Sequence, residues 1–539
     1  MVDVDLNAKT CARPKREIGM PVRLFSALLR RSRSGIALVL VAALVGCGTA
    51  PKEVEKQATY AATRTGDTFL GRRVSALGDP GDGRSGFHII DNGIEALGAR
   101  LILSDRAERT IDAQYYLVQS DPVGQLFAAR LLAAADRGVS VRLLIDDIGA
   151  SGYDPMTAAL ASHPSIDIRL FNPFRRGAGR IVGSLFELNR INRRMHNKSM
   201  TFDNQVTIVG GRNIGAEYFA ARQDSNYDDV DLIGIGPVAR DVSRSFDEYW
   251  NSPYAIPASA VVKGRDGDLP LDAARDRLGE LVEVARTTEY GAALTSDIRK
   301  AIESGGLSIV WAPWRVVADP PEKAAGEIEG LETLVSVLRP LVRSTRRELI
   351  VSSAYFVPGP GGTELLGGLA RGGASVRILT NSLDSNDVEP VHGHYSRYRK
   401  ALLESGVELW ELRPDKEMSD RDWAGLGHSL SGLHTKAFIV DRRHLFIGSF
   451  NWDPRSVNIN TEMGILVDSP LLAREAALAL NEKLPRAAYR LRLDGDGGIE
   501  WLEGQGDGTW IAYGREPSSS IWRKLRTGIY GALPIGGQL

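Results

Sequence analysis

Apolar and polar positions along the chain first predict a strand, a helix and a second strand. Residues 109–117 have the pattern of a strand, and apolar residues recur at helical spacing between 124 and 137. Gly138 is suited to end that helix, and the apolar run 139–145 predicts a buried strand. A strand, a helix and a strand in succession predict a right-handed crossover and a mostly parallel sheet.

The same succession returns in the second half of the chain. Residues 348–356 predict a strand, 364–371 a helix that ends at Gly372-Gly373, and 374–380 another strand. A repeat this long indicates two copies of one structural unit. We therefore expect an α/β fold of two similar halves that face each other, each a mostly parallel mixed sheet flanked by helices.

Changes in composition predict the boundaries of these units. The halves are expected at 86–257 and 305–484, joined by a charged connector at 258–304. The polar, Gly-rich segment 51–85 is expected to be a linker that leads into the first half. Residues 485–539 are expected to be a C-terminal extension, and no separate domain is assigned to them.

The N-terminal segment 1–50 has the features of an export signal. Arginines precede the apolar run 36–45, which is long enough for a secretion signal but too short to span a bilayer comfortably. Residues 44–47, Leu-Val-Gly-Cys, resemble the lipobox of bacterial lipoproteins, in which Cys47 would be acylated. We expect a protein exported to the bacterial cell envelope and tethered to a membrane surface through Cys47. An uncleaved anchor, or a true start at Met20, is the alternative.

Composition and charge narrow the classes of function. The chain has 539 residues, 43% of them hydrophobic and 25% charged, as is usual for folded soluble proteins. A net charge of −1 argues against nucleic acid as a partner, because binding it relies on neutralising phosphates. Cys11 and Cys47 both precede the body of the protein, which excludes a disulfide framework or a Cys-rich zinc site there.

Two histidines occupy equivalent points of the repeat. Each is followed by a lysine two positions later and by an aspartate seven positions later. These residues are His196, Lys198 and Asp203 in the first half and His434, Lys436 and Asp441 in the second half. Residues two apart on a strand project from one face, so each histidine and its lysine would point together into a site. One such set alone would be ordinary, but two sets in register indicate a single shared site.

A glycine-rich turn follows each set. Residues 210–213 read Gly-Gly-Arg-Asn, and residues 448–451 read Gly-Ser-Phe-Asn. Glycine lets the backbone approach a ligand closely. Asn213 and Asn451 could supply amide donors to that ligand.

These segments resemble the paired HKD motifs of the phospholipase D superfamily, and the resemblance covers nearly all of residues 86–539. More narrowly, the chain resembles bacterial cardiolipin synthases of the C type. The matching stretches are 112–116, 355–359, 380–383, 453–456, 460–464 and 533–535. The chain departs from the superfamily pattern at Gly211-Arg212, where serine and a variable residue are expected, and at His394, where glycine is expected.

The resemblance implies one active site between the halves and a phosphohistidine mechanism. One imidazole attacks phosphorus, while the other protonates the leaving alcohol and then deprotonates the incoming one. The resemblance assigns the nucleophile to His196 and the acid/base to His434, although the near-symmetry leaves the reverse open. The lysines, Asn213 and Asn451 would hold the non-bridging oxygens. Neither a metal nor a cofactor is expected.

The resemblance also implies supporting residues. Glu462 and Asp229 match acids that orient the histidines through the second ring nitrogen. Ser449 is grouped with these supporting and phosphate-binding residues. Asp203 and Asp441 are counted with the catalytic set as members of the motif, and a supporting position behind the site is the alternative.

The implied function is a phosphatidyltransferase that makes cardiolipin from phosphatidylglycerol and a second phospholipid, either phosphatidylglycerol or phosphatidylethanolamine. A hydrolase that makes phosphatidic acid would share the phosphohistidine step, but the narrower match and the membrane-directed N-terminus favour transfer. Net charge disfavours a nuclease, and two complete motifs disfavour a non-catalytic lipoprotein. The sequence leaves open the donor and acceptor lipids, the host membrane, the oligomeric state and any accessory protein.

Overall fold

The computed structural model describes residues 54–539 apart from 79, 149–153, 175–187, 223–224, 263–268, 289–290, 292–301, 303–305, 415–429, 519–520 and 535. The predicted signal segment 1–50, with its acylation site Cys47, lies outside the described residues. Among the residues described, no helix combines the length and the apolar content that crossing a bilayer requires.

Strands and helices alternate in the first part of each half, whereas in the later part several strands follow one another directly. In chain order the strands are β1 (Ser85–Ile90), β2 (Thr110–Tyr115), β3 (Ser140–Asp146), β4 (Ile166–Phe171), β5 (Ser199–Phe202), β6 (Val206–Gly210), β7 (Ser225–Asp228), β8 (Asp231–Ile235), β9 (Ala255–Pro257), β10 (Val310–Ala312), β11 (Trp314–Ala318), β12 (Glu348–Ser353), β13 (Ser375–Asn381), β14 (Glu408–Leu412), β15 (Leu430–Leu433), β16 (Lys436–Val440), β17 (His444–Gly448), β18 (Met463–Asp468), β19 (Ala488–Leu493), β20 (Ile499–Gly504) and β21 (Trp510–Tyr513). The helices are α1 (Phe69–Ala76), α2 (Gly93–Arg106), α3 (Pro122–Asp136), α4 (Asp154–Ala161), α5 (Leu188–Ile191), α6 (Pro237–Asn251), α7 (Ala258–Val261), α8 (Leu271–Arg286), α9 (Leu334–Arg343), α10 (Gly359–Arg371), α11 (Glu389–Ser396), α12 (Arg399–Glu404), α13 (Pro454–Asn458), α14 (Pro470–Ala487) and α15 (Ile521–Ala532).

Each half is built on one mixed sheet. The strand order is β10-β1-β8-β6-β5-β2-β3-β4-β9 in the first sheet and β11-β18-β17-β16-β12-β13-β14-β19-β20-β21 in the second. Strands β2, β3 and β4 run parallel, as do β12, β13 and β14. Strands β5 and β16, which follow the two histidines, pair antiparallel with β2 and β12. The predicted α/β fold of two similar halves is therefore confirmed.

The crossover helices both begin earlier than the sequence pattern predicts. Helix α3 begins at Pro122 because the Asp121 side chain accepts the Gly124 N–H at 2.9 Å and caps the first turn. Helix α10 begins at Gly359, where the first turns are rich in glycine. Because glycine has no apolar side chain, these turns do not contribute to the hydrophobic periodicity from which the helix is predicted.

Part of the segment 51–85 is docked on the first half, which differs from the linker expected there. Arg142 on β3 donates to the Thr59 carbonyl at 2.9 Å. Arg169 on β4 donates to the Gln57 carbonyl at 2.7 Å. Both arginines are buried, and backbone carbonyls of this segment accept hydrogen bonds from their guanidinium groups. A polar composition alone does not distinguish such a strap from a linker.

The connector and the C-terminal extension also pack on the halves. Helix α8 of the connector contributes Ala274 and Leu278 to the core of the first half. Strand β19 of the extension pairs antiparallel with β14 and thereby continues the second sheet. Helix α15 packs against α11.

The two halves meet through both packing and backbone pairing. A shared apolar cluster contains Val209 and Leu232 from the first half and Ile447 and Ile465 from the second. Strand β7 of the first half pairs in parallel with β15 of the second. These contacts fix the register in which the two histidine segments face each other.

Candidate active site

The two histidines lie where the halves meet, and each is held by an acid from the other half. Nδ1 of His196 lies 2.8 Å from Oε2 of Glu462, and Nδ1 of His434 lies 2.6 Å from Oδ2 of Asp229. All four side chains are buried. An acid at Nδ1 fixes the orientation of each ring and turns the opposite nitrogen, Nε2, away from the acid.

Backbone pairing between the halves sets this crossed arrangement. The His196 N–H donates to the carbonyl of Thr461, the residue before Glu462, at 2.9 Å. The His434 N–H donates to the carbonyl of Asp228, the residue before the second acid, at 2.8 Å. Each histidine is therefore held in register with the chain segment that carries its acid.

The two motif lysines are buried next to the imidazoles. Nζ of Lys198 donates to the His196 carbonyl at 2.6 Å, and Nζ of Lys436 lies 2.9 Å from Nδ1 of His434. Burial lowers the pKa of Lys198 to about 7 and that of Lys436 to about 8, although the nearby carboxylates oppose the shift. The positive charge of Lys436 also lowers the pKa of His196, and that of Lys198 lowers the pKa of His434. The four groups therefore form one electrostatic cluster.

Burial disfavours a positive charge on both imidazoles. Burial lowers the pKa of His196 to about 4, although Glu462 opposes the shift. Burial and the two lysines lower the pKa of His434 well below its ordinary value. A neutral imidazole has a lone pair, which either a nucleophile or a general base requires.

The pKa values of the two acids are shifted in opposite directions. Burial raises the pKa of Asp229 to about 6, and Lys436 and other cations oppose the shift only in part. Burial also acts to raise the pKa of Glu462, but His196 and its other partners more than offset this and lower the pKa below its ordinary value. The carboxyl group of Asp229 therefore holds a proton more readily than that of Glu462.

Hydroxyl groups that donate to Glu462 account for part of this difference in pKa. The Oγ atoms of Ser449 and Ser456 donate to the Glu462 carboxylate, the latter at 2.8 Å. The Glu462 N–H donates to the buried Asp319 at 3.0 Å. Ser456 and Asp319 were not assigned from the sequence. Ser456 lies in one of the stretches that carry the family resemblance, and this resemblance could have indicated it.

The glycine at position 211 makes room for the second acid. A Cβ at Gly211 would lie 2.3 Å from Oδ1 of Asp229, so the serine of the superfamily pattern would displace this carboxylate. The neighbouring Arg212 is buried and donates to the carbonyl of Asp229. It also forms a 3.2 Å ion pair with Asp231. The departure at Gly211-Arg212 is therefore a local adjustment to an aspartate that approaches the backbone closely.

The motif aspartates lie at the turns that follow β5 and β16, not beside the imidazoles. Both have positive φ, 49° at Asp203 and 53° at Asp441. Seven residues of extended chain separate each from its histidine, roughly 20 Å. This position favours the alternative drawn from the sequence, a supporting role behind the site.

Each motif aspartate anchors the strand next to it. Asp203 accepts backbone N–H groups of residues 108, 109 and 110, at 3.0, 2.8 and 3.0 Å, where β2 begins. Asp441 accepts those of residues 346, 347 and 348, at 3.1, 2.7 and 3.0 Å, where β12 begins. This turn requires a residue that tolerates positive φ and has a short side chain that accepts hydrogen bonds. Aspartate meets both requirements.

The two motif asparagines are buried but already have polar contacts. Nδ2 of Asn213 donates to the Tyr218 hydroxyl at 3.0 Å. Oδ1 of Asn451 accepts the Tyr355 N–H at 3.4 Å. Asn213 would therefore have to exchange its tyrosine contact to donate to a ligand.

Tyrosines, to which the sequence pattern assigned no role, form the walls of the site. The Tyr116 ring meets the His196 ring edge-on at 5.1 Å between centroids. Tyr218 and Tyr227 lie 5.1 and 5.2 Å from the His434 ring. The site is thus lined by aromatic rings on both sides. The described residues include no cluster of three or more His, Cys, Asp or Glu placed to hold a metal ion.

Replacement of Asp203 tests the structural role of the motif aspartates. We expect Asp203→Ala to lower the free energy of unfolding by about 2 to 4 kcal/mol, because three backbone donors lose a charged acceptor. Urea denaturation followed by circular dichroism measures the change. Asp203→Asn, which tolerates the positive φ and keeps one acceptor oxygen, should lose clearly less. Equal stability of wild type and Asp203→Ala would contradict the role.

Comparison with known proteins identifies the family. The family described as "Cardiolipin synthase, PLD-like domain" matches residues 102–250 and 338–484. Cardiolipin synthase C of Escherichia coli (strain K12) is 38% identical over 463 residues, which cover 84% of this chain and 96% of that protein. A cardiolipin synthase of Geobacillus kaustophilus is 24% identical over 376 residues, 70% of this chain and 61% of that protein. The crystal structure of phosphatidylserine synthase from Haemophilus influenzae shares the fold, with a TM-score of 0.53 at 15% identity over 78% of this chain and 92% of that one. The chain belongs to the cardiolipin synthase family of the phospholipase D superfamily, which confirms the resemblance drawn from its motifs.

Proposed function

We propose that this protein transfers a phosphatidyl group from one phospholipid to a hydroxyl group of another and thereby makes cardiolipin. The crossed arrangement of His196 with Glu462 and His434 with Asp229 carries the proposal. Two oriented imidazoles beside two buried lysines are the groups that a double displacement at phosphorus requires. Relatives across most of the chain are named cardiolipin synthases, which supports this substrate class.

In the first step, Nε2 of His196 attacks the phosphorus of the donor lipid. The bond from phosphorus to the headgroup oxygen breaks, and that oxygen takes the Nε2 proton of His434 while the proton held by Asp229 passes to Nδ1 of the same ring. Glu462 favours this role for His196, because an anionic carboxylate at Nδ1 stabilises the positive charge that the ring acquires when Nε2 bonds to phosphorus. Asp229 favours acid catalysis by His434, since this pair holds an additional proton more readily.

In the second step, His434 acts as a base. Its Nε2 takes the proton of the incoming hydroxyl, whose oxygen attacks phosphorus as the bond to His196 breaks. The histidines return to their starting protonation states. Lys198 and Lys436 neutralise the non-bridging oxygens in both steps, and a bound phosphodiester raises the pKa of each by supplying an opposite charge.

The finer proposals concern the two lipids and the location. We propose phosphatidylglycerol as one substrate, with a second phosphatidylglycerol or phosphatidylethanolamine as the other. The membrane surface of the bacterial cell envelope is the place where both are found, and the N-terminal segment with Cys47 supports export to it.

Lipid product analysis tests the proposed reaction. We expect wild type to convert labelled phosphatidylglycerol to cardiolipin, and His196→Ala and His434→Ala to lower the rate by about 10³-fold or more. His444→Ala is the matched control, because His444 lies at the surface on β17 and should leave the rate unchanged. Phosphatidic acid as the sole product would instead assign a hydrolase, and no lipid turnover would contradict both.

A second measurement assigns the nucleophile. Phosphatidyl-p-nitrophenol has a leaving group that departs without an acid, so His434→Ala should still form the phosphohistidine. We expect this variant to release a burst of about one equivalent of nitrophenol per site and then stall, because it lacks the base for the second step. His196→Ala should show no burst. The opposite pattern would assign the nucleophile to His434.

Gly211→Ser tests whether the position of Asp229 matters. The added Cβ meets the Asp229 carboxylate, so we expect kcat to fall by about 10²-fold as His434 loses its orienting acid. Gly279→Ser is the matched control, since a Cβ there meets nothing within 4 Å. Melting temperatures of both variants separate this effect from unfolding. An unchanged kcat in Gly211→Ser would show that His434 does not depend on this acid.

A further inference from the structure

The C-terminal helix α15 presents an apolar face to solvent. Ile521, Trp522, Leu525 and Ile529 expose 82%, 71%, 54% and 56% of their surface. At about 100° per residue these positions fall within an arc of roughly 100° on one side of the helix. We call this arc the α15 face. Within the described helices, the next largest set of exposed large apolar side chains is the pair Leu471 and Leu478 on α14.

The opposite side of α15 is already packed against the protein. Thr527 and Gly531 are buried against α11. A Cβ at Gly393 of α11 would lie 2.5 Å from the Thr527 carbonyl oxygen and 2.9 Å from the Gly531 nitrogen. The two helices therefore touch backbone to backbone. Because α15 is held in place by this contact, the α15 face remains directed outward.

Basic residues border the α15 face. Helix α15 contains Arg523, Lys524 and Arg526 and no acidic residue. By helical geometry Lys524 borders the face on one side and Arg526 on the other, and both are exposed. Arg526 also forms a 2.7 Å ion pair with Glu389 of α11. An apolar arc that contains tryptophan and has basic borders suits the interface of an anionic phospholipid bilayer.

A chain of contacts connects helix α15 to the active site. Glu389, the partner of Arg526, begins α11 two residues after Asp387. The carboxylate of Asp387 accepts the hydroxyl of Tyr227 at 3.1 Å and that of Tyr355 at 3.0 Å. The Tyr227 ring in turn contacts the His434 ring. The helix is thus fixed relative to the part of the site that contains His434.

We propose that the α15 face docks on the surface of an anionic phospholipid bilayer and holds the His434 side of the active site at the lipid headgroups. The second clause rests on the proposed function, whereas the docking itself does not. A helix of 12 residues is about 18 Å long, which suits an interfacial position and not a crossing. A second copy of the chain is the less suitable occupant, because two such faces would bring like charges together at their borders.

A local fluorescent probe tests the docking. In a full-length chain with Cys11→Ser and Cys47→Ser, Leu525→Cys is labelled with the environment-sensitive dye NBD. We expect its emission to shift to the blue and to increase at least about twofold with phosphatidylglycerol vesicles, and less with phosphatidylcholine vesicles, because the dye enters an apolar region. Leu478→Cys, labelled in the same way on the exposed surface of α14, should not respond.

Substitution on the α15 face should affect vesicle substrates selectively. We expect Trp522→Ser with Leu525→Ser to raise the KM for phosphatidylglycerol vesicles by about tenfold or more, since two apolar side chains no longer enter the interface. Turnover of short-chain phosphatidylglycerol below its micellar concentration should remain at the wild-type rate. Leu471→Ser with Leu478→Ser is the matched control and should change neither quantity.

The outcomes separate the docking proposal from the proposed function. A Leu525 probe that stays unresponsive while vesicles are turned over would overturn the docking proposal alone. A probe that shifts with protein concentration and without vesicles, together with a dimer in sedimentation, would assign the face to a second copy and overturn it as well. A probe that enters the bilayer while no cardiolipin forms would support docking and contradict the function.

Discussion

The crossed pairing of acid and imidazole between the halves is the interaction on which the active site depends. Lys198 and Lys436 are buried beside two imidazoles, and burial of a cation without a partner costs several kcal/mol. Glu462 and Asp229 offset this cost while they orient the rings. Because each acid belongs to the half opposite its histidine, neither half holds a complete site. Formation of the interface and formation of the catalytic groups are therefore one event.

The two halves are similar, but the chemistry requires them to differ. A nucleophile benefits from a carboxylate that stays ionised, and an acid/base benefits from a pair that exchanges a proton. His196 and Lys198, and then the Ser449 hydroxyl, lower the pKa of Glu462 in spite of its burial. Asp229 is a shorter acid that lies against Gly211, and its pKa is raised by burial. These differences around a repeated scaffold support the different roles that we propose for the two imidazoles.

The remainder of the fold connects this site to its surroundings. The motif aspartates hold the starts of β2 and β12 from behind, so that the strands after the histidines keep their register. On the other side, α15, α11 and the tyrosines around His434 form a continuous series of contacts from the surface to the site. For the bilayer lipid that we propose as substrate, such a connection would hold the site at the surface, because a lipid leaves the bilayer only at a high cost in apolar exposure.

The sequence by itself determined the repeat and the α/β fold, because periodicity reflects local backbone geometry. It also indicated the two histidines and the two lysines as candidate site residues, because their short spacings recur in both halves. It also indicated Glu462 and Asp229 through family resemblance. Only the tertiary structure decided which acid serves which histidine, since the partners are 266 and 205 residues apart and cross between the halves. The same holds for Asp203, whose role depends on backbone donors from a distant strand. The tertiary structure also decided which side of α15 is covered, because this depends on packing that no local pattern specifies.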